Sequence, residues 1–233
     1  LTIDLARPAA PVSRRSNPQV PRLDSRGLAA AVRELAAADA DLSGVLRRWG
    51  TPPLWSRSPG FATLIHLILE QQVSLASARA AMDRLEARVG APTPAALLTL
   101  DDDAMLEIGF SRQKRAYARG LATWILDGRL DLDGLSEQPD EAVRATLVRV
   151  RGIGRWTADI YLLMALGRPD VWPRGDRALT VALRHAKRLD GDPAEREALE
   201  LAERWRPWRS VAARLLWHLY LSEIRPPGGR APR

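Results

Sequence analysis

The sequence predicts an all-α fold of about ten helices, arranged as two lobes with a cleft between them. Three observations carry this prediction. Apolar residues recur at the 3.6-residue helical period, strand-like alternation is not convincing anywhere, and no repeat of solenoid length is present.

Taken in order, residues 1–24 are rich in Arg and in Pro (Pro8, Pro11, Pro18, Pro21), without periodicity, and read as a flexible tail. Arg225-Pro226-Pro227-Gly228-Gly229 reads the same way, which sets the folded body at 25–224 and a second tail at 225–233. Ser58-Pro59-Gly60 opens a helix whose Leu64, Ile65, Ile68 and Leu69 share one face. Gln71-Gln72 follows, and a second helix runs roughly from Ser74 to Val89. Thr93-Pro94 and Asp101 have the character of caps for two short helices. Further helical patterns span about 112–126, 140–148, 154–166, 176–189, 193–204 and 210–222.

Composition narrows the chemistry. The chain of 233 residues has no cysteine, which excludes disulfides, Cys-ligated zinc and Cys-bound iron–sulfur clusters. His66, His185 and His218 are scattered without metal-ligand spacing. No apolar run approaches the roughly 18 residues of a membrane helix, and the N-terminal residues lack a signal-peptide apolar segment. The expectation is a soluble, cytoplasmic, monomeric protein with no membrane partner. The net charge is +7, yet residues 27–224 carry only +1. Within them, 144–188 holds ten Arg and Lys against Asp159, Asp170 and Asp176. That concentrated basic zone suits a polyanion, although a solvated Arg-rich surface gives the same count.

The most informative stretch lies in this zone. Arg149-Val150-Arg151-Gly152-Ile153-Gly154-Arg155-Trp156-Thr157-Ala158 puts a glycine hairpin between two helices. Glycine permits a tight turn and close approach of another backbone. The free N–H groups opening the second helix favour an anion such as a phosphate. A plain helix–helix turn also uses glycine, so Gly-x-Gly alone leaves both readings open. Trp172-Pro173-Arg174-Gly175-Asp176 then sets a lone carboxylate at the start of the next helix, where Asp is also a favoured N-cap.

Leu147 to Ala158 followed by Asp176 resembles the helix-hairpin-helix DNA glycosylase superfamily. Within it, the chain looks most like the 3-methyladenine DNA glycosylase II type. Four segments carry that likeness: Glu70-Gln71-Gln72-Val73-Ser74, Gly109-Phe110-Ser111-Arg112-Gln113-Lys114, Gly152 to Ala158, and Pro207-Trp208-Arg209-Ser210 with Trp217. Together they span about residues 45–224.

The resemblance implies removal of alkylated purines, of the 3-methyladenine and 7-methylguanine type, from double-stranded DNA. Asp176 would be the catalytic carboxylate, stabilising positive charge on the deoxyribose as the base departs. A hairpin-helix lysine marks the strand-cutting members. Trp156 stands at that position, so the activity implied is monofunctional and leaves an abasic site. Gly152, Gly154, Arg151, Arg155, Thr157 and Arg174 would meet the DNA backbone. Gln72, with its neighbour Gln71, would plug the duplex. Trp156 and Trp217, with Trp172, Ile160, Ala178 and His218, would form the base pocket. Ile160 and His218 stand where a tyrosine is expected, and Ala178 where a larger aliphatic is. The β-rich N-terminal domain of longer members is not expected either. These departures imply a wider pocket. No cofactor is implied beyond a sodium or potassium ion held by the backbone carbonyls of Val148, Val150 and Ile153. The rival readings are a glycosylase for hypoxanthine, uracil or a mismatched base, a non-catalytic DNA-binding module, and a helical adaptor.

Overall fold

The fold is that of a computed structural model, which describes residues 21–225. It contains twelve α-helices among these residues and no strand. They are α1 (Ser25–Ala38), α2 (Ala40–Trp49), α3 (Phe61–Glu70), α4 (Leu75–Val89), α5 (Pro94–Leu98), α6 (Asp102–Ile108), α7 (Arg112–Leu126), α8 (Asp140–Leu147), α9 (Arg155–Ile160), α10 (Arg177–Lys187), α11 (Glu195–Glu203) and α12 (Arg209–Leu219). A short 3₁₀ turn covers Asp133–Glu137, and π-helical turns at Tyr161–Ala165 and Tyr220–Ile224 extend α9 and α12.

Most helices begin where a short polar side chain can accept an orphan amide. Asp24, Asp39, Ser74, Thr93, Asp101, Ser111 and Asp176 each cap the helix that follows. Each such cap contributes about 1 kcal/mol. Helix α3 starts instead at Gly60, whose amide donates to the Tyr161 hydroxyl at 2.9 Å. Its Leu64, Ile65, Leu67, Ile68 and Leu69 are all buried, so α3 is apolar on nearly every face and must run through the centre of the body.

The helices sort into two packed groups. Helices α3 to α7 pack among themselves, while α1 and α2 pack with α10 and α12, and α11 with α12. The first and last helices of the described chain therefore complete one lobe together. Helix α9 and its π-turn lie against α3, and α8 lies against α9. The expected tail at 1–24 needs correction at its end. Leu23 is buried, its amide donates to the Gly167 carbonyl at 2.7 Å, and Asp24 caps α1, so residues 21–24 belong to the fold. Residues 1–20 and 226–233 lie outside the described residues. Among the described residues, no helix is long and apolar enough to cross a membrane.

One polar cluster ties the first lobe-forming helices to the last. Asp39 caps α2, accepts from Lys187 Nζ on α10 at 2.7 Å, and accepts from Trp205 Nε1 at 2.8 Å. Burial works against the charge on Asp39, but the donors from Lys187, Trp205 and the Leu42 amide outweigh it, and the carboxyl falls below its ordinary 3.8. Lys187 is likewise opposed by burial yet raised above 10.5 by Asp39 and Asp41. A depressed carboxylate contributes stability that is present above pH 3.8 and lost as pH falls through its folded value; a raised lysine contributes stability present below pH 10.5 and lost as pH rises through its own. Thermal melting against pH should therefore show both limbs. Asp39→Asn, which keeps a capping oxygen, should flatten the difference on the acid side and lower the plateau between them.

Candidate active site and nucleic-acid interface

The hairpin between α8 and α9 is built around a glycine that cannot be replaced in place. Gly152 has φ +95°, and a Cβ there would sit 2.2 Å from Cγ of Tyr117 on α7. The turn closes through Ile153 N–H donating to the Val150 carbonyl at 3.0 Å. Gly154 differs: it has no positive φ, and a Cβ there would meet nothing within 4 Å. Its backbone faces open space at the start of α9, where no side chain caps the first amides. Those N–H groups are free to take an anion, and the missing side chain lets one come close.

The neighbouring loop is held by residues from three segments. Lys114 Nζ donates to the Leu69 carbonyl at 2.7 Å, closing the end of α3. Glu70 grips Arg57 through both carboxylate oxygens, at 3.2 and 2.6 Å. Gln71 Nε2 donates to the Gly152 carbonyl at 2.9 Å and to Thr157 Oγ1 at 3.3 Å. Gln71 is therefore a strut between loop and hairpin, and the expectation that it shares the plug role is corrected. Gln72 is exposed at φ +58°, an uncommon conformation for a non-glycine residue and one that collects at functional sites.

Asp176 joins helices α9, α10 and α12. Its Oδ1 accepts from the Leu179 amide at 2.9 Å, which makes it the N-cap of α10. Trp156 Nε1 on α9 donates to Oδ2 at 2.9 Å, and Trp217 Nε1 on α12 donates to Oδ1 at 3.3 Å. The carboxylate is half-buried with three N–H donors from three helices. A small cleft of about 80 Å³ runs beside it, lined in part by Trp172, Arg174, Leu179 and Glu195. The loop that delivers Asp176 is anchored by Arg209, whose Nε meets Asp170 Oδ1 at 2.8 Å, and by buried Ser210, which accepts from the Val171 amide at 2.9 Å.

Behind the hairpin lies a residue the sequence had shown only as part of a charge count. Asp159 on α9 is 1 % exposed. Arg144 Nε on α8 donates to its Oδ1 at 2.5 Å, and Arg155 Nε stands 3.7 Å from Oδ2. Burial pushes this carboxyl above its ordinary value; Arg144, then Arg155 and the Arg174 backbone amide, pull it back. Even so, Oδ2 has no donor in hydrogen-bonding geometry. The signal was available as Arg155 and Asp159 at i, i+4 on the hairpin helix, but nothing in the sequence reveals burial.

The structure redistributes the basic zone. Arg144 serves Asp159 and Glu141, Arg168 is buried against Asp140, Arg177 and Arg184 share Asp192, and Lys187 serves Asp39 and Asp41. Arg149 lies over the Trp124 ring. Arg151 and Arg174 pair with no carboxylate among the described residues, which leaves them available to an anion.

Several other expected roles change. Thr157 is 2 % exposed and its hydroxyl serves Gln71, so its side chain does not face the DNA surface. Ile160, also 2 % exposed, is core. Trp172 is buried against Trp205 at 5.6 Å and also lines the cleft. The His218 ring faces Trp55 at 6.3 Å; burial lowers its pKa, and its Nδ1 is buried without a partner. Ala178 is half-buried on the first turn of α10.

The two hairpin glycines should separate on substitution. Gly152→Ala must displace Tyr117 and strain the turn, and should cost about 1–3 kcal/mol of stability by chemical denaturation. Gly154→Ala should leave stability nearly unchanged while weakening duplex DNA binding in a fluorescence anisotropy titration.

With this geometry in view, the comparisons with known proteins align closely. Residues 65–207 match the HhH-GPD superfamily base excision DNA repair protein model. A putative DNA-3-methyladenine glycosylase of Bacillus subtilis is 29 % identical over 76 % of this chain, which spans 64 % of that relative's length. The DNA-3-methyladenine glycosylase 1 of Schizosaccharomyces pombe is 26 % identical over 84 % of this chain and 94 % of its own. A solved structure of a 3-methyladenine DNA glycosylase of that yeast, in complex with abasic DNA, superposes with a TM-score of 0.76 at 26 % identity, covering 81 % of this chain and 95 % of the other. The matched model spans both the hairpin and Asp176, and this chain belongs to the HhH-GPD superfamily of base excision DNA repair proteins.

Proposed function

We propose that this chain is a monofunctional DNA glycosylase that extrudes alkylated purines, of the 3-methyladenine and 7-methylguanine type, from duplex DNA and hydrolyses the bond to deoxyribose. The observation that carries this reading is the half-buried Asp176 carboxylate, held by Trp156, Trp217 and the Leu179 amide at the junction of three helices. A fixed anion favours a transition state in which positive charge grows on the sugar. The C1′–N bond breaks with its electron pair leaving on the base, and water adds its oxygen to C1′. Asp176 stabilises the cation and orients that water or accepts its proton. An N-alkylated purine already carries positive charge and leaves as a neutral base, so one carboxylate suffices.

Lysine chemistry supports the monofunctional reading. The chain has two lysines, Lys114 and Lys187. The first caps α3 and the second is bound to Asp39 and Asp41, while Trp156 occupies the hairpin helix. Neither amine is free to form a Schiff base with an abasic sugar.

On the DNA side, the α9 amides beside Gly154, with Arg151 and Arg174, would hold phosphates, positioning the duplex without reading its sequence. Gln72 would fill the space that the base vacates. The carbonyls of Val148, Val150 and Ile153 would hold a sodium or potassium ion. That of Val150 already accepts one hydrogen bond, and those of Val148 and Ile153 accept none among the described residues. When bound, the ion supplies positive charge beside the phosphate.

The test is chromatographic release of bases from methylated duplex DNA. Wild type should release 3-methyladenine or 7-methylguanine without nicking the strand, and borohydride should trap no covalent complex. Asp176→Asn, which can still cap α10, should slow release about 100- to 1000-fold. If the wild type binds DNA and releases neither base, the alkylpurine reading is wrong and other lesions come next.

A further inference from the structure

Trp55 lies outside every motif discussed so far, in the connection between α2 and α3. It combines three unusual properties. Its φ is +46°, in the left-handed region where a bulky residue is a genuine outlier. Its ring is only half-buried. Its indole N–H has no acceptor among the described residues. Trp49, Trp156, Trp205, Trp208 and Trp217 each donate to a carboxylate. Trp124 lies under Arg129 and Arg149, and Trp172 is buried against Trp205. Trp55 is thus the one indole with neither a polar partner nor a covered ring.

What it does touch is the candidate site. Its ring meets Trp217 edge-on, with centroids 6.5 Å apart and planes at 74°. Trp217 in turn donates to Asp176. Trp55 also meets the His218 ring at 6.3 Å and 86°. The backbone around it is pinned: buried Arg214 Nε donates to the Leu54 carbonyl at 2.8 Å, and the Arg57 amide donates to the Met164 carbonyl at 2.9 Å. Arg214 spends its other nitrogens on the Ser210 and Leu163 carbonyls, so the segment is locked to α12 and to the π-turn after α9. Two anchors, one of them through the buried Arg214, thus hold the backbone on either side of a strained aromatic residue. Such strain persists only where the surroundings over-determine it, and it collects at ligand sites.

We propose that Trp55 is a specificity-determining wall of the base site, contacting the extruded purine alongside Trp217. The assignment rests on the glycosylase reading above. An electron-rich indole face attracts an N-alkylated, positively charged purine by cation–π contact, and a half-exposed ring beside Trp217 is placed to supply it.

Two substitutions that both keep a bulky apolar side chain separate a wall from a packing role. In single-turnover release from methylated duplex DNA, Trp55→Phe should stay near wild type. Trp55→Leu should fall about tenfold, the worth of one aromatic contact, and should change the ratio of 3-methyladenine to 7-methylguanine released. Binding to undamaged duplex should be unaltered. The ratio is the deciding quantity, because partial unfolding scales both bases equally. Equal rates and an unchanged ratio in Trp55→Leu, with active wild type, would overturn the wall assignment and leave the glycosylase reading standing. Absence of release by wild type would overturn both.

Discussion

The buried carboxylate of Asp159 is the constraint on which the site depends. It sits on the short helix that opens at the hairpin, and Arg144 reaches it from the helix on the other side of the turn. The two helices of the hairpin are thereby fixed to each other by a charge pair inside the core rather than by the turn alone. Such a pair is weak evidence for net stability, since desolvation offsets much of the attraction. Its value here is geometric. With Arg155 also within reach and the Arg174 amide nearby, one side chain relates the hairpin, the first turn of α9 and the loop that leads to Asp176. Replacing the pair with apolar residues could keep the fold, but the bond from Trp156 to Asp176 would then be left to relate the α9 start to that carboxylate without the buried charge behind it.

Several residues in the family-like segments support the site without entering it. Lys114 closes the end of α3 and so fixes where the Gln72 loop begins. Arg209 and Ser210 hold Asp170 and Val171, a few residues before Asp176. Gln71 braces the loop against the hairpin. Each acts through backbone carbonyls, amides or a half-buried carboxylate, where a change of side-chain length would move an attached segment. A site assembled from the starts of α9 and α10, the far end of α12 and one loop needs such struts, because no continuous element carries all of it.

The legible part of the sequence was the part written in local chemistry. Helix starts at Ser74, Thr93, Asp101 and Asp176 follow from side-chain capping, and the structure shows all four caps. The apolar face of α3 was legible from periodicity, though its full burial was not. Gly152 was legible as a turn residue, while its close approach to Tyr117 on the earlier helix α7 was not. Adjacent glutamines offered no local reason for one to turn inward and the other outward; that depends on the Gly152 carbonyl and Thr157, some eighty residues away. The basic zone misled for a related reason. Charge along a sequence cannot show that Arg144 and Arg168 are buried or that Asp192 takes two of the arginines. After pairing, the cations without a carboxylate partner among the described residues include Arg151 at the hairpin and Arg174 beside Asp176, and also Arg188 at the far end of α10.

Asp176 shows why a structural reading and a chemical one need not compete. As an N-cap it must point one oxygen back at the Leu179 amide, and that requirement fixes its χ angles. The same fixation is what an electrostatic catalyst needs: a charge already oriented before the substrate arrives, with no reorganisation during the reaction. The two indoles add to this. Each donates one N–H to the carboxylate and so places an aromatic ring beside it. The helix start therefore supplies orientation at no additional cost. The tryptophans then join the anion to the aromatic surface that a flipped, cationic base would require, and a single hydrogen-bonded cluster unites the cap, the charge and the beginnings of a pocket.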